Sequence, residues 1–132
     1  MQNFPALVHA LLAITTPIAL LSAYATPYEL AHALRTTKPK CIFAQPALLP
    51  NALAAAKEVG LPQDRIYILE GPTGEDGRLS LQDFVDRVKQ RGIPREPIRP
   101  AKKDTLAYLV FSSGTSGLPK GGPVSPFADG SR

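Results

Sequence analysis

Residues 105–121 read TLAYLVFSSGTSGLPKG, an apolar run that gives way without a break to hydroxyls, glycines, one proline and one lysine. The first part, 105–111, has the β-branched and aromatic content of a buried strand. The second part has the composition of a loop that a ligand approaches, so the pair reads as a strand delivering a loop to the end of a sheet. Working back from there, short apolar runs at 18–22 (IALLS), 41–44 (CIFA) and 65–69 (RIYIL) predict three more strands. Helical patterns lie between them. Strands alternating with helices place the chain in the α/β class: a partial parallel sheet with flanking helices on both faces and right-handed crossovers.

The helices carry their own boundary signals. Leu7, Val8, Leu11, Leu12 and Ile14 predict a helix over 4–14, covered on most sides and stopped by Pro17. In Thr26-Pro27-Tyr28-Glu29 a capping box and a proline at the first helical position start a helix running from 27 to about 36. Residues 48–59 are Leu- and Ala-rich, and Gly60 and Pro62 mark their end. Ser80 and Asp83 form a second capping pair. Behind it Leu81, Phe84, Val85 and Val88 fall at i, i+3, i+4 and i+7, and Gly92 closes that helix. The stretch 71–78, GPTGEDGR, reads as a flexible loop.

With 132 residues the chain is the size of one domain, and 44% hydrophobic and 20% charged residues are the balance of a globular protein. The lone cysteine, Cys41, cannot form an internal disulfide; in its apolar run it reads as a buried thiol, pointing to a reducing compartment such as the cytoplasm or peroxisome. His9 and His32 lack companions at ligand spacing, so no metal site is expected. The uncharged segment 4–25 resembles a signal or span, but Thr15, Thr16 and Pro17 divide it into pieces too short to cross a bilayer. Two elements of a non-secreted protein are expected there.

The net charge of +4 is concentrated in 87–103, where Arg87, Lys89, Arg91, Arg95, Arg99, Lys102 and Lys103 face one acid, Glu96. Such a cluster attracts nucleic acid or an anionic membrane. Prolines 94, 97 and 100, with no aromatic side chain for base stacking, favour an extended connector with solvated charges, so no nucleic-acid partner is expected.

Gly114 and Gly117 allow backbone amides to approach an anion; Ser112, Ser113, Thr115 and Ser116 add hydroxyl donors, and Lys120 adds a charge. The set suits phosphate oxygens. It is not a Walker A sequence, because Pro119 and Gly121 stand where glycine and Ser or Thr are required, and no G-x-G-x-x-G is present. Composition alone fits a solvent-exposed Ser/Gly turn equally well.

Phe111 to Gly121 resembles the phosphate-binding signature of the AMP-binding, or adenylate-forming, superfamily, which includes acyl-CoA synthetases, coumarate-CoA ligases and luciferases. Ala25 to His32, ATPYELAH, is similar to the Y-T-x-x-E-L-A segment that lies upstream in acyl-CoA and coumarate-type ligases. The resemblance implies ATP with Mg²⁺ as cofactors, and a carboxylic acid that is adenylated and then passed to a thiol such as coenzyme A. It implies that Ser112, Ser113, Gly114, Thr115, Ser116, Gly117 and Lys120 grip the ATP phosphates. It also places a glycine within Ile14-Thr15-Thr16-Pro17, where this chain has none.

The expected organisation is a partial AMP-binding domain over 1–121 and a divergent or disordered tail over 122–132, where Pro123 and Pro126 oppose a central strand. The acyl pocket, metal-binding glutamate and mobile C-terminal domain implied by the family have no counterpart in these residues. The expectation is therefore a truncated ligase fragment that keeps the phosphate loop and is inactive alone. Two other readings stay open: a small nucleotide- or anion-binding module that pairs with a full-length relative, and a basic nucleic-acid-binding segment at 87–103.

Overall fold

Thr26 caps a helix with its own side chain. In the computed structural model, which describes residues 3–112 and 120–124, its hydroxyl accepts from the Glu29 amide while the Glu29 carboxylate accepts from the Thr26 amide. This capping box, with Pro27 at the first helical position, opens helix α2 (Pro27–Thr37), which ends on Lys38 in the left-handed conformation. Helix α3 (Leu49–Val59) ends on Gly60 at φ 74, where a residue without Cβ is needed. The two helices pack closely through small side chains: Ala31 and Ala55 are fully buried, Leu34 nearly so, with Leu21, Leu30, Ile42 and Val59 around them.

Helix α1 (Asn3–Ala13) precedes strand β1 (Ile18–Leu20); strand β2 (Ile42–Ala44) lies between α2 and α3; and strand β3 (Ile66–Ile68) follows α3. Helix α4 (Leu81–Gln90) is opened by the Ser80–Asp83 capping box, and β4 (Tyr108–Ser112) and β5 (Lys120–Val124) complete the order. The parallel pairing expected from the alternation is present, β1 with β4 and β2 with β3. The single sheet is not. The strands form two small sheets, β1-β4-β5 and β2-β3, and β5 runs antiparallel to β4.

Several local expectations change with this arrangement. No residue of α1 is fully buried, and Phe4 is exposed, so that helix is covered less than its largely apolar sequence suggests. β1 is an edge strand with β4 on one side only, so its three residues are half-buried rather than enclosed on both faces. Cys41 is exposed, since it stands just before the first ladder residue of β2. The neighbouring protein still pushes its thiol pKa up by desolvation, against an opposing pull from Arg65.

The stretch 71–78 is tied down rather than free. Arg78 donates through Nη1 to the carbonyls of Gln63 at 2.5 Å and Ile66 at 2.7 Å, and its Nε reaches Asp76 Oδ2 at 3.1 Å. The Gly74 amide donates to the Arg78 carbonyl, and the Thr73 hydroxyl donates to the Asp83 carboxylate. Ile68 and Ser80 then form a parallel bridge beside β3, which brings the start of α4 against the β2-β3 sheet. Phe84 completes an aromatic group there with Tyr67 and Phe43, its ring centroid 4.9 Å from that of Tyr67 and nearly perpendicular to it.

At the far end, β5 carries the ladder through Gly122, Pro123 and Val124, residues expected in the tail. Pro123 is tolerated because β5 is the outer strand of its sheet, where a missing N–H need not break a ladder on both sides. Among the described residues no helix is long and apolar enough to cross a membrane.

Candidate phosphate-binding site

Strand β4 reaches the site because Tyr108, Leu109 and Val110 lie in register with Ile18, Ala19 and Leu20 of β1. That parallel ladder sends both strands out at the same end. Beyond β1 the chain turns at Ser22, whose Oγ accepts from the Tyr24 amide at 3.2 Å and whose carbonyl accepts from Ala25. Tyr24 is 96% exposed on this turn. The turn shares the carboxyl end of the sheet with Ser112, a neighbourhood that parallel pairing creates and that no motif in 21–25 announces.

On its other side β4 pairs with β5, and the last pair of that ladder sets Ser112 opposite Lys120. The backbone of both predicted site residues is thus fixed, one closing β4 and the other opening β5. The chain between them, with Ser113, Gly114, Thr115, Ser116 and Gly117, lies outside the described residues. The strand before the segment is the expected one, whereas the return strand that begins at Lys120 falls where the sequence predicts the end of a loop and the start of a tail.

The donor chemistry of 112–120 fits a triphosphate, since hydroxyls, glycine amides and one ammonium offer hydrogen bonds and positive charge, with no carboxylate in the segment to oppose them. Charged groups elsewhere in the described chain do other work. Glu29, Asp76 and Asp83 each have a pKa held below the ordinary carboxylate value, first of all by a backbone N–H, that of Thr26, Arg78 and Ser80 respectively. All three are structural caps or turn anchors. Among the described residues no cluster of three or more His, Cys, Asp or Glu is placed to hold a metal.

Two clefts among the described residues also lie elsewhere. One of about 320 Å³ lies between 63–67 and 76–79, and one of about 460 Å³ lies at the C-terminal ends of α2 and α3. Neither borders the carboxyl ends of β1 and β4.

Comparisons with known proteins agree with this geometry. Over 123 residues the chain is 30% identical to the acyl-CoA ligase AKT1 of Alternaria alternata, a match covering 89% of this chain and 21% of the ligase. The chain therefore spans about a fifth of the length of the curated relatives it matches. A natural red-emitting luciferase from Phrixothrix hirtus superposes with a TM-score of 0.80 at 24% identity, over 93% of this chain and 30% of the luciferase. An ATP-bound RpMatB-BxBclM chimera superposes with a TM-score of 0.64 at 26% identity, over 90% and 22%. A family profile described as AMP-binding enzyme matches residues 1–126, running through both strands and the segment between them. With that match spanning β4, the glycine and hydroxyl segment and β5, the chain belongs to the AMP-binding enzyme family.

Proposed function

We propose that Ser112, Ser113, Gly114, Thr115, Ser116, Gly117 and Lys120 hold the β- and γ-phosphates of ATP in an enzyme that adenylates a carboxylic acid. The thiol of coenzyme A then attacks the acyl carbon, forming the thioester and releasing AMP. The observation that carries this reading is the family match running through a phosphate-compatible segment whose two ends are paired across β4 and β5. Acyl-CoA ligases among the relatives and a solved neighbour described as ATP-bound support the choice of nucleotide and acceptor.

In this role Gly114 and Gly117 allow backbone amides close to phosphate oxygens, the four hydroxyls donate to them, and Lys120 attracts their charge. Fixed donors of this kind stabilise charge that grows on the leaving pyrophosphate, each typically worth about 3 to 4 kcal/mol of barrier. Mg²⁺ bound with ATP supplies further positive charge there. The β4-β5 ladder pairs the backbone of Ser112 with that of Lys120 and so anchors the two ends of the segment. Spanning a fifth of its relatives, this stretch supplies the phosphate grip, and we assign turnover to the assembled enzyme rather than to the chain alone.

Equilibrium titration with a fluorescent ATP analogue tests the grip. Binding should weaken by roughly ten- to a hundredfold on Lys120→Ala, the loss of a charge-assisted contact. Equal affinity of both proteins, or no binding by either in a folded sample, would remove the phosphate role. Thioester formation by the isolated chain supplied with ATP, Mg²⁺, coenzyme A and a panel of carboxylic acids would refute the assignment of turnover to the assembled enzyme.

A second reading is favoured by the outer edges of β1 and β5, which pair with no further strand among the described residues and offer backbone groups to another strand. There the chain is an anion-binding module that pairs with a full-length relative. Size-exclusion chromatography of the mixture separates the two readings: a stoichiometric complex supports pairing, and independent elution supports the first.

A further inference from the structure

We propose that the C-terminal turn of α4 and the basic arm that follows it dock on an anionic lipid surface. The inference does not depend on the nucleotide site. Every residue from Val85 to Asp104 is exposed. Seven cations, Arg87, Lys89, Arg91, Arg95, Arg99, Lys102 and Lys103, lie within 87–103 with one acid, Glu96, which is paired with Arg99 at 2.7 Å, and Asp104 follows directly. The acids that flank the arm on α4 are engaged locally, Asp83 in the helix cap and Asp86 with Gln82 at 2.8 Å. A concentrated positive field therefore faces solvent.

Charge alone would suit any polyanion; the apolar side chains between the cations select one. Val85 and Val88 are 38% and 45% exposed, and Ile93 and Ile98 are 49% and 82% exposed. Aliphatic groups interleaved with Lys and Arg match the boundary between headgroups and acyl chains, where the cations meet lipid phosphates and the isoleucines leave water. A nucleic acid rewards aromatic stacking, and 85–103 contains no aromatic residue. Prolines 94, 97 and 100 keep the arm extended, and the Arg99 amide donates to the Ala13 carbonyl at 2.8 Å, which fixes the arm against the end of α1. The arm is thus held as a surface feature.

Co-sedimentation of the purified chain with vesicles tests the proposal. At low salt the chain should bind vesicles containing about a third phosphatidylserine at least about tenfold better than pure phosphatidylcholine vesicles, and should release as salt rises and screening shortens. Combined Arg91→Glu, Arg95→Glu and Lys102→Glu should abolish binding, while Arg91→Lys with Arg95→Lys should retain it. Ile98→Ser, which leaves the charge unchanged, should weaken binding severalfold at low and intermediate salt alike, because the apolar part is not screened. Circular dichroism checks that each variant keeps its helices. Equal binding to neutral vesicles, no binding at low salt, or a DNA duplex that displaces the vesicles with the same charge-reversal sensitivity would each overturn the proposal.

Discussion

Thr15 adopts a left-handed backbone conformation, φ 56, between α1 and β1. A β-branched residue there holds Cβ against the following carbonyl, at a cost of about 1–2 kcal/mol relative to ordinary helical angles. Its amide donates to Leu12, the Thr16 amide donates to Leu11, and its own hydroxyl donates to the Ile14 carbonyl at 2.7 Å, so the turn is held by bonds that outweigh the strain. The family resemblance puts a glycine in this same tetrapeptide, and the backbone supplies the physical reason for one. Thr15→Gly should therefore stabilise the protein by up to about 1 kcal/mol, the relief of strain exceeding the entropy glycine loses on folding. Urea denaturation measures it, and a destabilised variant would show that the hydroxyl bond to Ile14 matters more than the strain. The need for left-handed geometry was legible only through resemblance, because a Thr-Thr-Pro sequence carries no such signal of its own.

At the scale of elements, the helix starts were legible and the loop at 71–78 was not, and the difference is one of range. Capping boxes at Thr26 and Ser80 work over three residues, so the sequence displays every participant. Order in 71–78 depends on Arg78 reaching the carbonyls of Gln63 and Ile66, and on Thr73 reaching Asp83, contacts a local pattern does not reveal. The same caps make α4 sensitive to acid. The Ser80 amide and hydroxyl, with the Thr73 hydroxyl, hold the folded-state pKa of Asp83 below its unfolded value. A lowered folded pKa contributes stability that is complete above the unfolded carboxylate pKa and is lost as pH falls through the folded one. Unfolding followed from neutral pH into the acid range should show that loss. In Asp83→Asn the slope should be shallower, and an unchanged slope would mean the cap carboxylate plays no part in acid sensitivity.

For the molecule as a whole, the strand-helix alternation revealed the class, and parallel pairing followed from it. The division into two sheets did not, since which strands pair is set by contacts between β1 and β4, whose partners are 90 positions apart. The buried core is correspondingly uneven. Ala31, Ala33, Leu34, Ala44, Ala52, Ala55, Ala56, Ile66, Ile68 and Leu69 all belong to α2, β2, α3, β3 and their junctions, whereas on the other side Ala107, just before β4, is the buried apolar residue among the described ones. Opening free energies follow buried apolar contact, so hydrogen exchange should be slower in β2, β3 and α3 than in β1 and β4, by at least about tenfold. Mass spectrometry of exchanged peptides decides this; equal protection of β3 and β4 would mean the two sheets open as one unit. The candidate site lies on the less protected sheet, where a ligand has most to gain by ordering its surroundings.

The burial of Arg78 bears on how a protease would meet this chain. Two glycine-containing stretches offer arginines to trypsin in sequence, 71–78 and 87–103, yet the Arg78 side chain is only 10% exposed and engaged by two carbonyls and Asp76. Arg91 and Arg95 have no such shelter. Limited digestion should cut after Arg91 or Arg95 well before Arg78, and the reverse order, read by mass spectrometry of early fragments, would contradict the clasp. Because β1 lies on one side of the cut and β4 on the other, the nicked halves should elute together, joined by a ladder rather than by a peptide bond.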